Sequence, residues 1–213
     1  METPLESPAA PASAPPLLDP AYPLATERLC LRPYVVDDLD ALLGMFGRPD
    51  VCRYLDWEPM DGAAARTLLE RRVGQTRIER DGEGIALAIA DPASNAMIGE
   101  VVLRLTSAPD RQGEVGWSLH PDAQGHGFAT EAAREMLRLG FDVMGLHRIV
   151  AECDPRNEAS IRVMERLGMR REAHMLDTRF IKGEWVGSMI YAMLESEWPD
   201  ARAARGLGRG EAA

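Results

Sequence analysis

The turn that decides the fold is Gln124-Gly125-His126-Gly127-Phe128-Ala129, which connects an apolar strand to a long amphipathic helix. Glycine adopts backbone conformations that other residues resist, and the first N–H groups of a helix have no partner within it. A helix N-terminus carries about half a positive charge and directs these donors towards anions. The turn therefore predicts a phosphate site, and a pyrophosphate is the anion that suits it best.

A dinucleotide-binding turn is the closest alternative. It requires G-x-G-x-x-G directly after a buried parallel strand, with an acidic residue about 20 positions later. Here Thr130 stands at the third glycine position, and hairpin strands precede the turn. No Walker-type Gly-Lys-Ser/Thr sequence is present. A turn without a ligand is the other alternative, because any strand-to-helix loop favours glycine.

Composition limits the classes of partner. The chain has 213 residues, 46% of them hydrophobic, which is enough for one domain with a sizeable core. Its formal net charge of -10 argues against nucleic acid and anionic membranes and mildly favours a cationic partner. No apolar run approaches the roughly 20 residues that span a bilayer, and the start lacks the basic and apolar regions of a secretory signal. The sequence predicts a cytoplasmic protein.

Cysteine usage indicates neither a disulfide framework nor a metal site. The three cysteines, Cys30, Cys52 and Cys153, are odd in number, far apart and outside any C-x-x-C pattern. The four histidines are scattered, so no metal is predicted.

Hydrophobic periodicity predicts an α+β (mixed α/β) domain with a largely antiparallel sheet. Strands are predicted at 28–32, 85–90, 97–105, 114–120, 148–153, 171–181 and 185–194, and helices at 37–46, 62–79, 128–144 and 157–167. Residues 1–22 are rich in proline and alanine and are predicted to form a disordered tail. The domain is predicted to occupy residues 23–198, with a second flexible tail of alanine, arginine and glycine over 199–213.

Several motifs, in order, resemble one family. The glycine turn is similar to the Q/R-x-x-G-x-G/A acyl-CoA signature of the GNAT superfamily of N-acetyltransferases. Residues 121–132, His147-Arg148-Ile149 and residues 155–168 resemble its RimJ/RimL-like branch, the ribosomal-protein N-terminal acetyltransferases. Residues 26–33 are similar to that branch's opening strand, and Gly183-Glu184-Trp185 resembles its late hairpin. The resemblance covers roughly residues 22–198.

The resemblance implies a mostly antiparallel sheet that a bulge splits into a V, flanked by about four helices. It implies acetyl-CoA as co-substrate in the split and direct transfer to an amine in a ternary complex. The residues that it implies for binding acetyl-CoA are Trp117, Ser118, Leu119, Gln124, Gly125, His126, Gly127, Phe128, Ala129, Asn157 and Ser160. The backbone N–H of Trp117 is also implied as an oxyanion donor, and that of Leu119 as a pantetheine contact.

Acetylation requires a neutral amine, and an alkyl amine has a pKa near 10, so a base should help. Glu100 lies inside an apolar strand, where a carboxylate is costly unless it faces water or a partner. We consider it a candidate general base acting through a water, and an exposed face shared with Arg104 is the alternative. Trp57 and Glu58 are candidates for binding the acceptor, and the alternative for Glu58, which its position in a loop favours, is a solvated loop charge.

Asn157 and Ser160 begin a helix, with Asn157 as the predicted N-cap. The resemblance implies that Asn157 contacts pantetheine and that Ser160 lies near the sulfur as a candidate proton donor. Met164 stands where the superfamily often has a tyrosine that acts as the general acid. Three routes for the leaving thiolate therefore remain open: protonation by Ser160, protonation by an ordered water, and direct release. Tyr191 is predicted in the core.

These observations predict an acetyl-CoA-dependent N-acetyltransferase. The first candidate acceptor is the N-terminal α-amine of a protein or peptide. The second is a small amine such as an aminoglycoside, polyamine or amino acid derivative, and the third hypothesis is a CoA-binding sensor without catalysis. The loops at 56–61 and 181–185 carry no recognisable motif for acceptor specificity. The expectation of a homodimer is based on the resemblance alone.

Overall fold

A central eight-stranded sheet organises the protein. The computed structural model describes residues 18–203. The strands are β1 Leu24–Ala25, β2 Cys30–Pro33, β3 Gly84–Ala90, β4 Met97–Ser107, β5 Gln112–Leu119, β6 Arg148–Cys153, β7 Arg170–Ile181 and β8 Glu184–Leu194. Their order in the sheet is β1-β2-β3-β4-β5-β6-β8-β7, and every neighbouring pair is antiparallel except β5 and β6.

Helices cover both faces of this sheet. They are α1 Leu39–Phe46, α2 Pro49–Cys52, α3 Gly62–Val73, α4 Phe128–Arg138, α5 Glu158–Leu167 and α6 Trp198–Ala203, and a π-helical turn at Leu139–Val143 extends α4. Strand β3 is buried on both faces because Ala86 and Ala88 pack under α1 and α3, whereas Leu87 and Ile89 belong to the larger core beneath α4. The predicted mixed fold with a mostly antiparallel sheet is confirmed.

The sheet opens into a V between β5 and β6. These strands pair only where Gln112–Glu114 lies beside Arg148–Val150. Beyond that point β5 continues along β4 and β6 continues along β8, so the two strands separate. The register shift between β4 and β5 falls between Leu105 and Ser107, at the closed end of the V. A second register shift, between Ile89 and Ala90 of β3 where they pair with β4, lies towards the open end.

The pairing of β5 leaves donors pointing into the opening. The N–H of His120 donates to the carbonyl of Ile98 at 2.9 Å. Because hydrogen-bonded pairs alternate along an antiparallel ladder, Ser118 also bonds to β4. The N–H groups of Trp117 and Leu119 consequently point away from β4 and into the V.

Two predicted boundaries differ from the structure at the N-terminal side. Helix α3 ends at Val73 rather than at residue 79, because the chain then turns so that Ile78 can pair with Leu18. Leu18 is 1% exposed, and the Tyr22 hydroxyl donates to the carbonyl of Thr76 at 2.7 Å. Residues 18–22 of the tail predicted over 1–22 thus pack against the domain, and residues 1–17 of that tail lie outside the described residues.

The C-terminal boundary also extends further than predicted. Residues 199–203, predicted as the start of a flexible tail, belong to helix α6. Ala201 lies against Gly168, and its carbonyl accepts a hydrogen bond from Arg134 at 3.2 Å. Residues 204–213 of that predicted tail lie outside the described part of the chain.

Candidate active site

Two cavities meet at the opening of the V. The first, which we call the turn groove, has a volume of about 330 Å³ and lies between the 124–130 turn and α5. The second, which we call the acidic cleft, has a volume of about 470 Å³ and is lined by Asp56, Glu100, Glu114, Glu152 and Asp154 among others. The residues that line both are Tyr54, Leu55, Trp117, Ser118, Asn157 and Ser160.

The glycine turn forms one wall of the turn groove. Gly125 and Gly127 have φ angles of +81° and +82°, a left-handed conformation that favours glycine. Gly127 is the N-cap residue of α4, so this helix begins at the groove. The residues of the predicted signature that line the groove are Gln124, Gly125, Gly127, Phe128 and Ala129. His126 does not line it; its exposed ring stacks on Phe128 with centroids 5.5 Å apart.

Thr130 is a groove residue that the sequence interpretation missed. It is 6% exposed, lines the turn groove in the first turn of α4, and its hydroxyl has no hydrogen-bond partner within residues 18–203. A buried polar group without a partner costs about 1–3 kcal/mol. This hydroxyl, without a partner in the described chain, is therefore a candidate hydrogen-bond donor at the wall of the turn groove. The position of Thr130 in the first turn after the glycine turn could have indicated this role from the sequence. The sequence analysis used Thr130 only as evidence against a dinucleotide-binding motif.

The start of α5 places two predicted residues where the cavities meet. The Asn157 side chain accepts a hydrogen bond from the Ser160 N–H at 3.1 Å, which confirms the predicted N-cap. Met164, one turn further on, is fully buried in the core and lines neither cavity. Tyr191 is 4% exposed, as predicted for a core residue, and its hydroxyl donates to Glu165 at 3.3 Å.

Glu100 lies buried in the acidic cleft. Arg104 lies on the same face of β4 and also lines this cleft, but it is exposed there. Glu100 is 4% exposed, and Tyr34 donates to one of its oxygens at 2.8 Å. The guanidinium of Arg72 makes an ion pair with it at 2.6 Å. Burial, followed by the charge of Glu100, raises the pKa of Tyr34 well above its usual range, so the phenol remains a donor. Neither partner of Glu100 was predicted from the sequence.

The other carboxylates of the acidic cleft also have arginine partners. Arg179 pairs with Asp56 at 2.7 Å and with Glu152 at 3.3 Å. The two remaining ion pairs are Arg104 with Glu114 and Arg156 with Asp154. No carboxylate that lines this cleft within the described chain therefore lacks a cationic partner.

Cys153 also lines the acidic cleft. Burial, with the neighbouring charges of Asp154 and Glu152, raises the pKa of its thiol to about 12. Since the thiolate is the nucleophilic form, this raised pKa disfavours Cys153 as a nucleophile at neutral pH.

Of the two loop residues predicted to bind the acceptor, Trp57 lies in a cavity and Glu58 does not. Trp57 lines the acidic cleft and packs edge-to-face on Phe46, with ring centroids 5.8 Å apart. Glu58 is exposed and lines neither cavity. The structure therefore brings Trp57 to the site and leaves Glu58 outside it.

The family assignment follows from comparison with known proteins. The family described as acetyltransferase (GNAT) domain matches residues 28–170, more than half of the chain. The chain belongs to the GNAT acetyltransferase family. As a GNAT enzyme it is an acetyl-CoA-dependent N-acetyltransferase, which confirms the resemblance seen in its motifs.

Three relatives of this GNAT enzyme match it over most of their length. An uncharacterized N-acetyltransferase of Bacillus subtilis (strain 168), YnaD, is 31% identical over 175 residues, covering 82% of this chain and 98% of its own. The ribosomal protein uS5-alanine N-acetyltransferase of Escherichia coli (strain K12) is 25% identical over 188 residues, covering 86% and 96%. The crystal structure of a GNAT-family acetyltransferase from Bacillus anthracis superposes with a TM-score of 0.74 at 29% identity, covering 83% and 100%.

A membrane-spanning segment is not found in the part of the GNAT enzyme that the structure describes. None of its helices combines the length and the apolar character needed to cross a bilayer.

Proposed function

We propose that this GNAT enzyme acetylates the N-terminal α-amine of a protein or peptide by direct attack in a ternary complex. The observation that supports this acceptor is the pairing of every carboxylate of the acidic cleft with an arginine. A cleft with no unpaired carboxylate provides only weak base assistance. It suits an amine that is already partly neutral.

The ordinary pKa values of amines make this distinction quantitative. An α-amine has a pKa near 8 and a lysine-type amine near 10.4, so at pH 7 about one α-amine in ten is neutral, against about one alkyl amine in 2,500. The α-amine therefore needs far less help from a base. A polyamine or lysine side chain would require a stronger base than the paired carboxylates supply.

The turn groove suits the phosphates of the co-substrate. Its proposed anion donors are the Thr130 hydroxyl and the N–H groups of the glycine turn, at the positive end of α4. Trp117 and Leu119 present their N–H groups to the pantetheine arm. When bound, acetyl-CoA supplies the acetyl group as an activated thioester.

The residues where the two cavities meet have proposed catalytic roles. The N–H of Trp117 would stabilise negative charge on the acyl oxygen, and one such donor is typically worth about 3 kcal/mol. Ser160 would supply a proton to the leaving sulfur, with Asn157 holding the turn on which it stands. Glu100 would receive the amine's proton through a water, and Trp57 would form a wall of the acceptor site.

Two further observations favour this function. The raised pKa of Cys153 argues against a covalent acyl-cysteine and hence for direct attack. A relative that is 25% identical over nearly its whole length is named for acetylating the alanine of ribosomal protein uS5.

The test uses matched peptides that differ only in which amine is free. One begins with a free alanine and has acetylated lysines; the other has an acetylated N-terminus and free lysines; spermidine and a free amino acid complete the panel. We expect thiol release and a mass gain only with the peptide whose α-amine is free, and not with spermidine or the free amino acid, with kcat/KM levelling off above about pH 8.

Other outcomes would contradict the proposal in different ways. Transfer to lysine or spermidine, with a rate that rises to about pH 10, would indicate an alkyl-amine acceptor. Silence with every amine despite tight acetyl-CoA binding would favour a CoA-binding sensor.

A further inference from the structure

The segment before β2, which the catalytic proposal does not use, binds the first turn of α4. The Thr26 hydroxyl donates to a carboxylate oxygen of Glu131 at 2.6 Å. The backbone N–H of Arg28 donates to the same oxygen at 2.7 Å, and its Nε donates to the other oxygen at 2.8 Å. These contacts join residues more than 100 positions apart in the chain.

Arg28 also contacts the glycine turn directly. Its Nη1 donates to the carbonyl of His126 at 3.0 Å, and its guanidinium lies 4.9 Å from the centre of the Phe128 ring. Since the peptide is planar and trans, a carbonyl held towards Arg28 directs the N–H of Gly127 the opposite way. Gly127 lines the turn groove, so Arg28 fixes the orientation of a donor at its wall.

The charge of Arg28 matters as well as its geometry. Burial opposes the ionisation of Glu131, but the bonds from Thr26 and Arg28 outweigh it and lower the pKa of this carboxyl. A charged carboxylate in the first turn of α4 would repel a diphosphate. Arg28 offsets that charge at a distance of 2.7 Å.

We propose that Arg28 is a positioning residue for co-substrate binding: it orients the Gly127 N–H and neutralises Glu131 beside the diphosphate site. The inference rests on the proposed assignment of the turn groove to the phosphates of CoA. It does not depend on the identity of the amine acceptor.

The test is calorimetric titration of CoA into the full chain, with a matched control on the same helix. The ion pair of Arg138 with Glu135 has the same 2.7 Å distance, and its side chains are 41% and 16% exposed, against 46% and 14% for Arg28 and Glu131. We expect Arg28→Ala to raise the Kd of CoA about tenfold, the effect of losing one charged hydrogen bond. Arg138→Ala should leave the Kd within about twofold.

Two more variants separate geometry from charge. Arg28→Lys keeps the charge but not the forked geometry, so it should recover part of the lost affinity. Arg28→Ala combined with Glu131→Gln should also recover part, because no uncompensated carboxylate remains. With acetyl-CoA in a turnover assay, Arg28→Ala should raise the KM and leave kcat at saturation unchanged.

The inference would be overturned if Arg28→Ala bound CoA like the wild type, or if Arg138→Ala weakened binding equally. If Arg28→Ala lowered the Tm but left the Kd of CoA unchanged, Arg28 would stabilise the fold without contributing to co-substrate binding. Gly127→Trp tests the underlying assignment separately, because normal CoA binding by that variant would mean that the turn groove is not the phosphate site. No amine is present in these titrations, so a wrong acceptor would not affect them.

Discussion

At the scale of single residues, Thr130 offers the sharpest test of the phosphate assignment. Its buried hydroxyl lacks a partner among the described residues, so Thr130→Val removes an unsatisfied group and preserves the side-chain shape. We expect the free energy of unfolding of the free protein to stay constant or rise by up to about 1 kcal/mol. The Kd for CoA, measured by calorimetry, should increase about tenfold.

The control for this prediction is Thr130→Ser, which keeps the hydroxyl and should bind CoA with nearly wild-type affinity. Equal CoA affinity in the valine and wild-type proteins would mean that the hydroxyl does not contact the ligand. A marked loss of stability in the valine variant would mean that the hydroxyl has a partner inside the protein.

Cys153 makes a prediction about the chemical route. A pKa of about 12 keeps the thiol protonated throughout the neutral range, so it should resist alkylation by iodoacetamide at pH 8 in the folded protein and react after unfolding. Cys153→Ala should retain turnover, since direct attack needs no acyl-cysteine. Mass spectrometry that finds acetyl on Cys153 during turnover would disprove direct attack.

Glu100 requires a test that separates catalysis from folding. Glu100→Gln should lower kcat by about a hundredfold, the lower range for loss of a general base, without changing the Kd for CoA. The variant also leaves Arg72 without its 2.6 Å ion-pair partner, so its unfolding must be measured in parallel. A folded variant with wild-type kcat would remove Glu100 from the mechanism.

At the scale of elements, the β7–β8 hairpin depends on a close backbone approach. A Cβ at Gly187 would lie 2.3 Å from the carbonyl oxygen of Met175, where the register of β7 shifts before Arg179. Gly187→Ala should therefore lower the free energy of unfolding by about 1–3 kcal/mol. Because Arg179 belongs to this hairpin and binds Asp56 across the acidic cleft, turnover should fall as well.

The matched control is Gly116→Ala in β5, where an added Cβ meets no atom within 4 Å. Its urea midpoint should stay close to that of the wild type. If Gly187→Ala were equally stable, the hairpin would have to relax at Met175 without loss of packing.

The elements that the sequence predicted correctly are those with strong periodicity. Strand β5 alternates apolar and small or polar residues, and α5 ends in a glycine after one apolar stripe. The sequence missed β1, α2 and α6, which have two to six residues each. Elements this short have little intrinsic stability, so tertiary contacts such as that of Ala201 with Gly168 decide whether they form.

At the scale of the whole molecule, the site residues that could be predicted from the sequence are those whose positions depend on neighbouring residues in the chain. The glycine turn and the Asn157 cap lie at helix starts, where residue type and conformation are closely linked. The bonds of Glu100 to Tyr34 and Arg72 join residues 66 and 28 positions apart. One sequence does not indicate which distant partners a buried carboxylate will have, because they depend on how β4 faces α3 and the chain before α1.

Other ion pairs, which Glu172 makes with Arg148 and Arg170, make the stability of the folded protein depend on pH. Hydrogen bonds from Arg148, with a smaller contribution from Arg170, lower the pKa of Glu172 from 4.5 to about 2. A carboxylate whose pKa is lower in the folded state contributes stability above its unfolded value and loses it as the pH falls. The free energy of unfolding should therefore decline between about pH 4.5 and pH 2.

Glu172→Gln measures the share of this decline that belongs to one carboxylate. The variant should lose about 1 kcal/mol at pH 7, a value reduced from the full shift because solvent screens surface pairs. Urea unfolding at a series of pH values should show a shallower decline for this variant than for the wild type. Glu27→Gln, at an exposed residue with no ion pair in the described chain, should keep the wild-type slope. Parallel curves for the wild type and Glu172→Gln from pH 4.5 to pH 2 would show that the Arg148 ion pair does not persist in solution, and the acid sensitivity would then have to come from more buried carboxylates such as Asp154 and Glu131.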